Sequence, residues 1–154
     1  MDAPASSLAA SSKRVDVVLD TNALLDWLIF KNPNCKSFEN ALVFGSVRLL
    51  TSPSLSGELS HVLARGVANR WTTDFSSLWA MLDRHAVELP DPAATLASSR
   101  LRCTDPDDQK FIDFAVAHRA RWLLTRDRAV LKLRKKALAF GLVIAPLEAW
   151  SLTV

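Results

Sequence analysis

Apolar positions along this chain alternate between short continuous runs and longer stretches of helical spacing, the signature of strands that alternate with helices. Val15, Val17, Val18 and Leu19 form a β-branched run that reads as a buried parallel strand, and Asp20 ends it. Ala23 to Phe30 is apolar at helical spacing until Lys31-Asn32-Pro33-Asn34 breaks it. A helix over Ser37–Phe44, closed by Gly45, leads to a strand over Val47–Thr51. Ser52, Pro53 and Ser54 open a helix that runs through Arg65, with Leu55, Leu59, Val62 and Leu63 on its apolar face and Glu58 in its first turns.

Trp71, Phe75, Leu78, Trp79 and Leu82 recur at spacings of three and four and predict an amphipathic helix over Trp71–Arg84, followed by a strand over Ala86–Leu89. Ala93–Arg102 fits helix or loop equally. Beyond it, Asp105 is placed to cap a helix with Pro106 at its first position, and Phe111, Ile112, Ala115 and His118 mark the buried face. A strand over Arg121–Thr125, a helix over Arg128–Phe140 ending at Gly141, a strand over Leu142–Ala145 and a short helix from Pro146 complete the order. Strands and helices in alternation predict an α/β fold with a central, mainly parallel sheet.

The 154 residues suit one domain, and 49% hydrophobic with 23% charged residues is a composition that folds and does not stay disordered. Met1 to Ser12 are mostly Ala and Ser, so residues 1–13 are expected to be a flexible tail and 14–154 the single domain. No apolar run approaches the ~20 residues that span a bilayer, and no membrane association is expected. Two distant cysteines, Cys35 and Cys103, have no His or Cys at metal-ligand spacing, which fits a reducing cytoplasm and excludes a zinc site. The net charge of +3 mildly favours a polyanionic partner.

The candidate chemistry lies in acids that recur at predicted strand ends and helix starts: Asp20, Glu58, Asp105, Asp108 and Asp127. Each alone has a plain explanation as a helix cap or a solvated side chain. Gathered in one crevice they repel, and a cation or a proton must offset them. Magnesium accepts a few hard carboxylate oxygens and leaves room for a phosphate. No glycine-rich phosphate loop competes, and His61, His85 and His118 fall on predicted helices or helix ends.

Four blocks carry a resemblance: Leu19-Asp20-Thr21-Asn22-Ala23-Leu24; Thr51-Ser52-Pro53 through Glu58-Leu59; Asp105-Pro106-Asp107-Asp108-Gln109-Lys110-Phe111; and Leu124-Thr125-Arg126-Asp127. In order and separation they resemble PIN domains, most closely the bacterial branch described as toxin components of toxin-antitoxin pairs. Ala145 to Trp150 resembles that branch's final strand and helix.

The resemblance implies a three-layer α/β/α sandwich and a cytoplasmic ribonuclease dependent on Mg²⁺ or Mn²⁺, which cleaves RNA phosphodiester bonds by metal-activated water. It also implies a small antitoxin protein as partner, and a homodimer through the face of Trp71–Leu82 or of Ala23–Phe30. Carried over, Asp20, Glu58, Asp108 and Asp127 are the catalytic, metal-binding acids. Asp105 is either a further ligand or only a cap. Thr21, Asn22 and Thr125 are the supporting groups. Arg126 and Arg128 depart from the family pattern, since either can hold Asp127 in an ion pair.

Between Arg119 and Lys136 eight basic residues face a single acid, Asp127. A helix there places Arg128, Lys132, Lys135 and Lys136 in an outer row, and with Arg126 these are the expected contacts to nucleic-acid phosphates. Trp27, Trp79 and Trp122 are expected in the core or an interface. A rival reading keeps the fold as an RNA-binding or regulatory module with weak catalysis. A phosphatase using Asp20 as nucleophile fits less well, because the chain reads Asp-Thr-Asn where a second acid is expected.

Overall fold

The computed structural model describes residues 14–93 and 100–151. The expected tail over residues 1–13 lies outside these, as does most of Ala93–Arg102. Five strands form one sheet in the order β3-β2-β1-β4-β5: β1 Val15–Leu19, β2 Val47–Thr51, β3 Ala86–Glu88, β4 Trp122–Leu124 and β5 Val143–Ala145. Every pairing is parallel, with Val17 opposite Leu49 on one side and Trp122 on the other.

Strand alternation sends successive side chains to opposite faces, and both faces are covered. Val17, Leu19, Leu49, Trp122 and Leu124 pack with helices α1 (Thr21–Leu28), α2 (Lys36–Phe44) and α4 (Ser76–His85), and with the later turns of α3 (Pro53–Ala64). Val18, Leu50, Leu123 and Ile144 pack on the other face with α5 (Gln109–Ala117), α6 (Arg128–Leu131) and α7 (Arg134–Ala137). The result is the expected three-layer α/β/α sandwich. No helix among the described residues is long and apolar enough to cross a membrane.

Local chemistry sets the boundaries. Asp20 caps α1 by accepting from the Ala23 amide, so the helix starts at Thr21, before the apolar stretch that predicts it. Ser52 caps α3 through the Leu55 amide, with Pro53 at its first position. Gly45 closes α2 with φ +87°, a conformation that suits a residue without Cβ.

Several expectations change. The helix expected from Trp71 begins only at Ser76, because Asp74 takes the Ser76 amide in a local turn. Trp71 instead packs on Phe30, ring centroids 4.5 Å apart. Trp27 and Trp122 are buried, whereas Trp79 is 36% exposed on the outer face and is not in the core. Residues 23–29 are all buried within the chain's own core, so the Ala23–Phe30 face cannot serve as a subunit contact. His118 ends α5, its ring against Phe114 and its Nε2 2.8 Å from the Pro90 carbonyl.

The single helix expected over Arg128–Phe140 is broken into α6, α7 and a 3-10 turn over Leu138–Phe140. The Leu133 amide bonds to the Val130 carbonyl three residues back, and the Arg134 guanidinium takes the Leu131 carbonyl that an unbroken helix offers to Lys135. Val130, Leu133 and Ala137 still point inward.

Candidate metal centre

In this strand order the chain leaves β1 towards β2 on one side and later fills β4 and β5 on the other, so the crevice of the sheet opens at the carboxyl ends of β1 and β4. Asp20 is the first residue after β1 and Thr125 the first after β4. The two segments are pinned together: the Asp20 amide donates to the Leu124 carbonyl at 3.2 Å, and Thr125 Oγ1 donates to Asp20 Oδ2 at 2.5 Å. The same Thr125 oxygen accepts the Asp127 amide at 2.9 Å, so one buried hydroxyl holds both the Asp20 carboxylate and the backbone that carries Asp127.

A cleft of about 560 Å³ opens here, with Asp20, Glu58, Asp105, Asp108 and Asp127 on its walls and Thr21 and Asn22 beside them. Asp105, Asp108 and Asp127 each offer a carboxylate oxygen within 4.8 Å of the others. Asp105 also caps the 3-10 turn over Pro106–Asp108, its Oδ1 accepting the Asp107 amide. Capping and membership of the acid cluster are thus compatible, since they can use different oxygens. Asp127 likewise caps α6 through Ala129 while facing the cluster.

Glu58 is held apart from these three acids. Its Oε2 accepts from Thr21 Oγ1 at 2.5 Å, and its Oε1 is paired with Lys110 Nζ.

Crowding shows in the protonation of the acids. Burial pushes Asp20 up to about 6, against the lowering effect of its bonds to Thr125 and Ala23, and the Asp127 and Asp26 charges add to the rise. Asp108 is pushed up to about 7, first by burial, then by the neighbouring Asp127 carboxyl, and then by the charges of Asp105 and Asp20. Asp108 Oδ2 is buried and has no hydrogen-bond partner among the described residues. An orphaned buried oxygen amid two further carboxylates has the chemistry of a cation ligand. An all-oxygen donor set suits a hard dication such as Mg²⁺ or Mn²⁺, so the residues fit such an ion.

The basic residues are arranged differently from expectation. Arg126 turns away from Asp127 and pairs with Asp26, at 2.7 Å to Oδ2 and 2.9 Å to Oδ1. Asp26 is nearly buried, which draws the guanidinium to it. Arg126 therefore neither quenches Asp127 nor stands free for a phosphate. Arg128, Lys132, Lys135 and Lys136 are exposed on α6, α7 and the link between them, beyond the cleft walls.

The cleft's own basic side chains are His61, Arg65 and Lys110, none of which the sequence reading assigns to the site: it places His61 only on a helix and Lys110 only within a block of resemblance. Their signal is present: His61 follows Glu58 by three residues on α3, and Arg65, seven residues after Glu58, is the residue that caps the helix's C-terminus. Lys110 lies within the block that carries Asp105 and Asp108.

A family model described as PIN domain matches residues 16–129, from within β1 to the first turn of α6. No curated protein matches the chain.

Proposed function

The chain belongs to the PIN domain family, a nuclease-type fold, and from that premise we propose that it is an endoribonuclease that hydrolyses RNA phosphodiester bonds with Mg²⁺ or Mn²⁺ in the acidic cleft. The observation that carries this is the buried, unpartnered Asp108 Oδ2 within a set of three converging carboxylates. Asp105, Asp108 and Asp127 would hold the ion. When bound, it supplies positive charge against these acids, acidifies a water molecule and stabilises charge on the leaving oxygen.

The chain's own groups orient the rest. Thr125 fixes the Asp20 and Asp127 segments relative to one another, and Thr21 and Lys110 hold Glu58 on the cleft wall. Asn22, exposed at the rim, is available to a substrate. Arg128, Lys132, Lys135 and Lys136 would touch only a strand long enough to run beyond the cleft. Arg126, committed to Asp26, drops out of the interface.

The toxin role, with a small antitoxin closing the cleft, rests on the resemblance of the four sequence blocks. So does the homodimer, which we place on the segment Trp71–Leu82, where Trp71 and Trp79 are exposed. Two free buried cysteines accord with a cytoplasmic setting.

Purified chain is expected to cleave mixed-sequence single-stranded RNA in Mg²⁺ or Mn²⁺ and not in EDTA, and Asp20→Asn and Asp108→Asn are each expected to abolish cleavage with the fold intact. Cleavage retained in both variants sinks the proposal. The rival, a binding module without useful catalysis, is favoured by one observation, the Lys110 contact that occupies Glu58. It is expected to hold RNA equally in EDTA and to yield no product.

A further inference from the structure

Six acidic side chains reach the cleft, Asp20, Glu58, Asp105, Asp107, Asp108 and Asp127, and their field repels the phosphates that a nuclease must admit. Among the described residues, three basic side chains share the cleft. Lys110 is already paired with Glu58. Arg65 and His61 make no side-chain hydrogen bond or ion pair among the described residues, and both are exposed beside Glu58 on the cleft wall, His61 on α3 and Arg65 at its C-terminal cap. Arg65 is thus an uncommitted guanidinium on the wall of an acidic cleft, with a planar fork that fits a phosphate's two oxygens.

We propose that Arg65, with His61 one turn before it and Lys110 on α5, forms a phosphate-binding wall that holds the backbone of single-stranded RNA beside the acids. This rests on the nuclease reading above. Asp20 at the floor is only 6% exposed, so the strand must descend into the cleft, which a strand without a paired partner can do. Contacts of this kind read no base. They set where the strand lies and make its binding sensitive to salt.

The test is titration of the whole chain with a fluorescein-labelled single-stranded RNA in EDTA, followed by anisotropy over a series of salt concentrations, with Mg²⁺-dependent cleavage of the same RNA assayed in parallel. Arg65→Ala is expected to weaken binding ~3–10-fold and to reduce the slope of log affinity against log salt by about 0.7, the value for one lost phosphate contact on a single strand. Arg65→Lys is expected to recover the slope and only part of the affinity, because the charge stays and the fork is lost. Lys36→Ala on α2, the same charge change away from the cleft, is expected to alter neither.

Unchanged affinity and slope in Arg65→Ala, or an equal loss in Lys36→Ala, overturns the wall. A loss confined to the combined Lys132→Ala, Lys135→Ala and Lys136→Ala variant also overturns it, since the strand then lies on the outer ridge. Absence of binding by the unmodified chain removes the wall as well. Absence of cleavage with any ion, alongside the Arg65-dependent loss of binding, leaves the wall standing and removes the nuclease reading alone.

Discussion

Thr125 and Asp20 lie 105 residues apart and are joined by a 2.5 Å hydrogen bond, Oγ1 to Oδ2, while the same hydroxyl oxygen receives the Asp127 amide. Removing the hydroxyl with Thr125→Val keeps the shape, frees the Asp20 carboxylate to rotate and leaves the Asp127 amide without its partner. Because the bond to Thr125 lowers the Asp20 pKa, its loss is expected to push Asp20 further up. Mn²⁺ affinity measured calorimetrically is expected to fall about 10–100-fold, the usual cost of losing a group that orients metal ligands. Equal affinity in Thr125→Val and the unmodified chain counts against a metal at this site.

Asp108 stands at about 7 in the folded chain against 3.8 for an ordinary aspartate. A raised carboxyl pKa means that its contribution to stability is fully present below about 4 and is lost as pH rises through about 7. In EDTA at pH 8, Asp108→Asn is therefore expected to raise Tm by a few degrees, since in a chain of this size ~1 kcal/mol moves Tm by about 2–4 °C. At pH 4 the difference should vanish, and added Mn²⁺ should raise Tm of the unmodified chain more than that of the variant. A variant less stable than the parent at pH 8 contradicts the repulsion inferred among these acids.

Lys110 neutralises Glu58 across α3 and α5. Lys110→Met leaves the Glu58 carboxylate with Thr21 alone and adds net negative charge to the cleft. Mn²⁺ is expected to bind several-fold more tightly and single-stranded RNA more weakly, by anisotropy in EDTA. Both affinities moving in the same direction would show that Lys110 acts through the fold and not through the cleft's charge.

Asp26 is 7% exposed and depends on Arg126 for its counter-charge. Its pKa is raised by burial, and Arg126 is what pulls it back. Arg126→Ala is expected to destabilise the fold by about 1–2 kcal/mol at pH 8, a buried-pair effect discounted for the exposed guanidinium. The loss should shrink as the pH is lowered to 5, in the direction of Asp26 protonation, because a raised pKa costs less stability at lower pH. Urea unfolding at the two pH values decides it. A loss independent of pH would assign the effect to packing of the arginine stem.

The order of elements was legible in the sequence because each depends on neighbours along the chain. The β-branched run of β1, the Ser52-Pro53 start of α3 and the glycines after α2 and before β5 are local signals, and β2 has the boundaries that its pattern predicts. Asp20, Asp105, Asp108 and Asp127 were visible as acids at element boundaries, and Glu58 as an acid within the early turns of α3, for the same reason. Where local signals compete, the boundaries moved, as at Ser76, where a turn built by Asp74 overrides helical periodicity.

What the sequence could not decide was how distant side chains are shared out. Charge counted along the chain puts Arg126 beside Asp127, yet a strand end turns successive side chains apart, and the buried Asp26 on α1 wins the guanidinium. The same counting marks the basic run over residues 119–136 as the natural phosphate surface, while the sheet order puts Arg65 and Lys110 in the cleft. Which acids converge also depends on that order, because β1 and β4 become neighbours only when the sheet forms. Periodicity reports how a residue faces its own element. Proximity between elements is set by burial of both sheet faces at once, and only the tertiary structure supplies it.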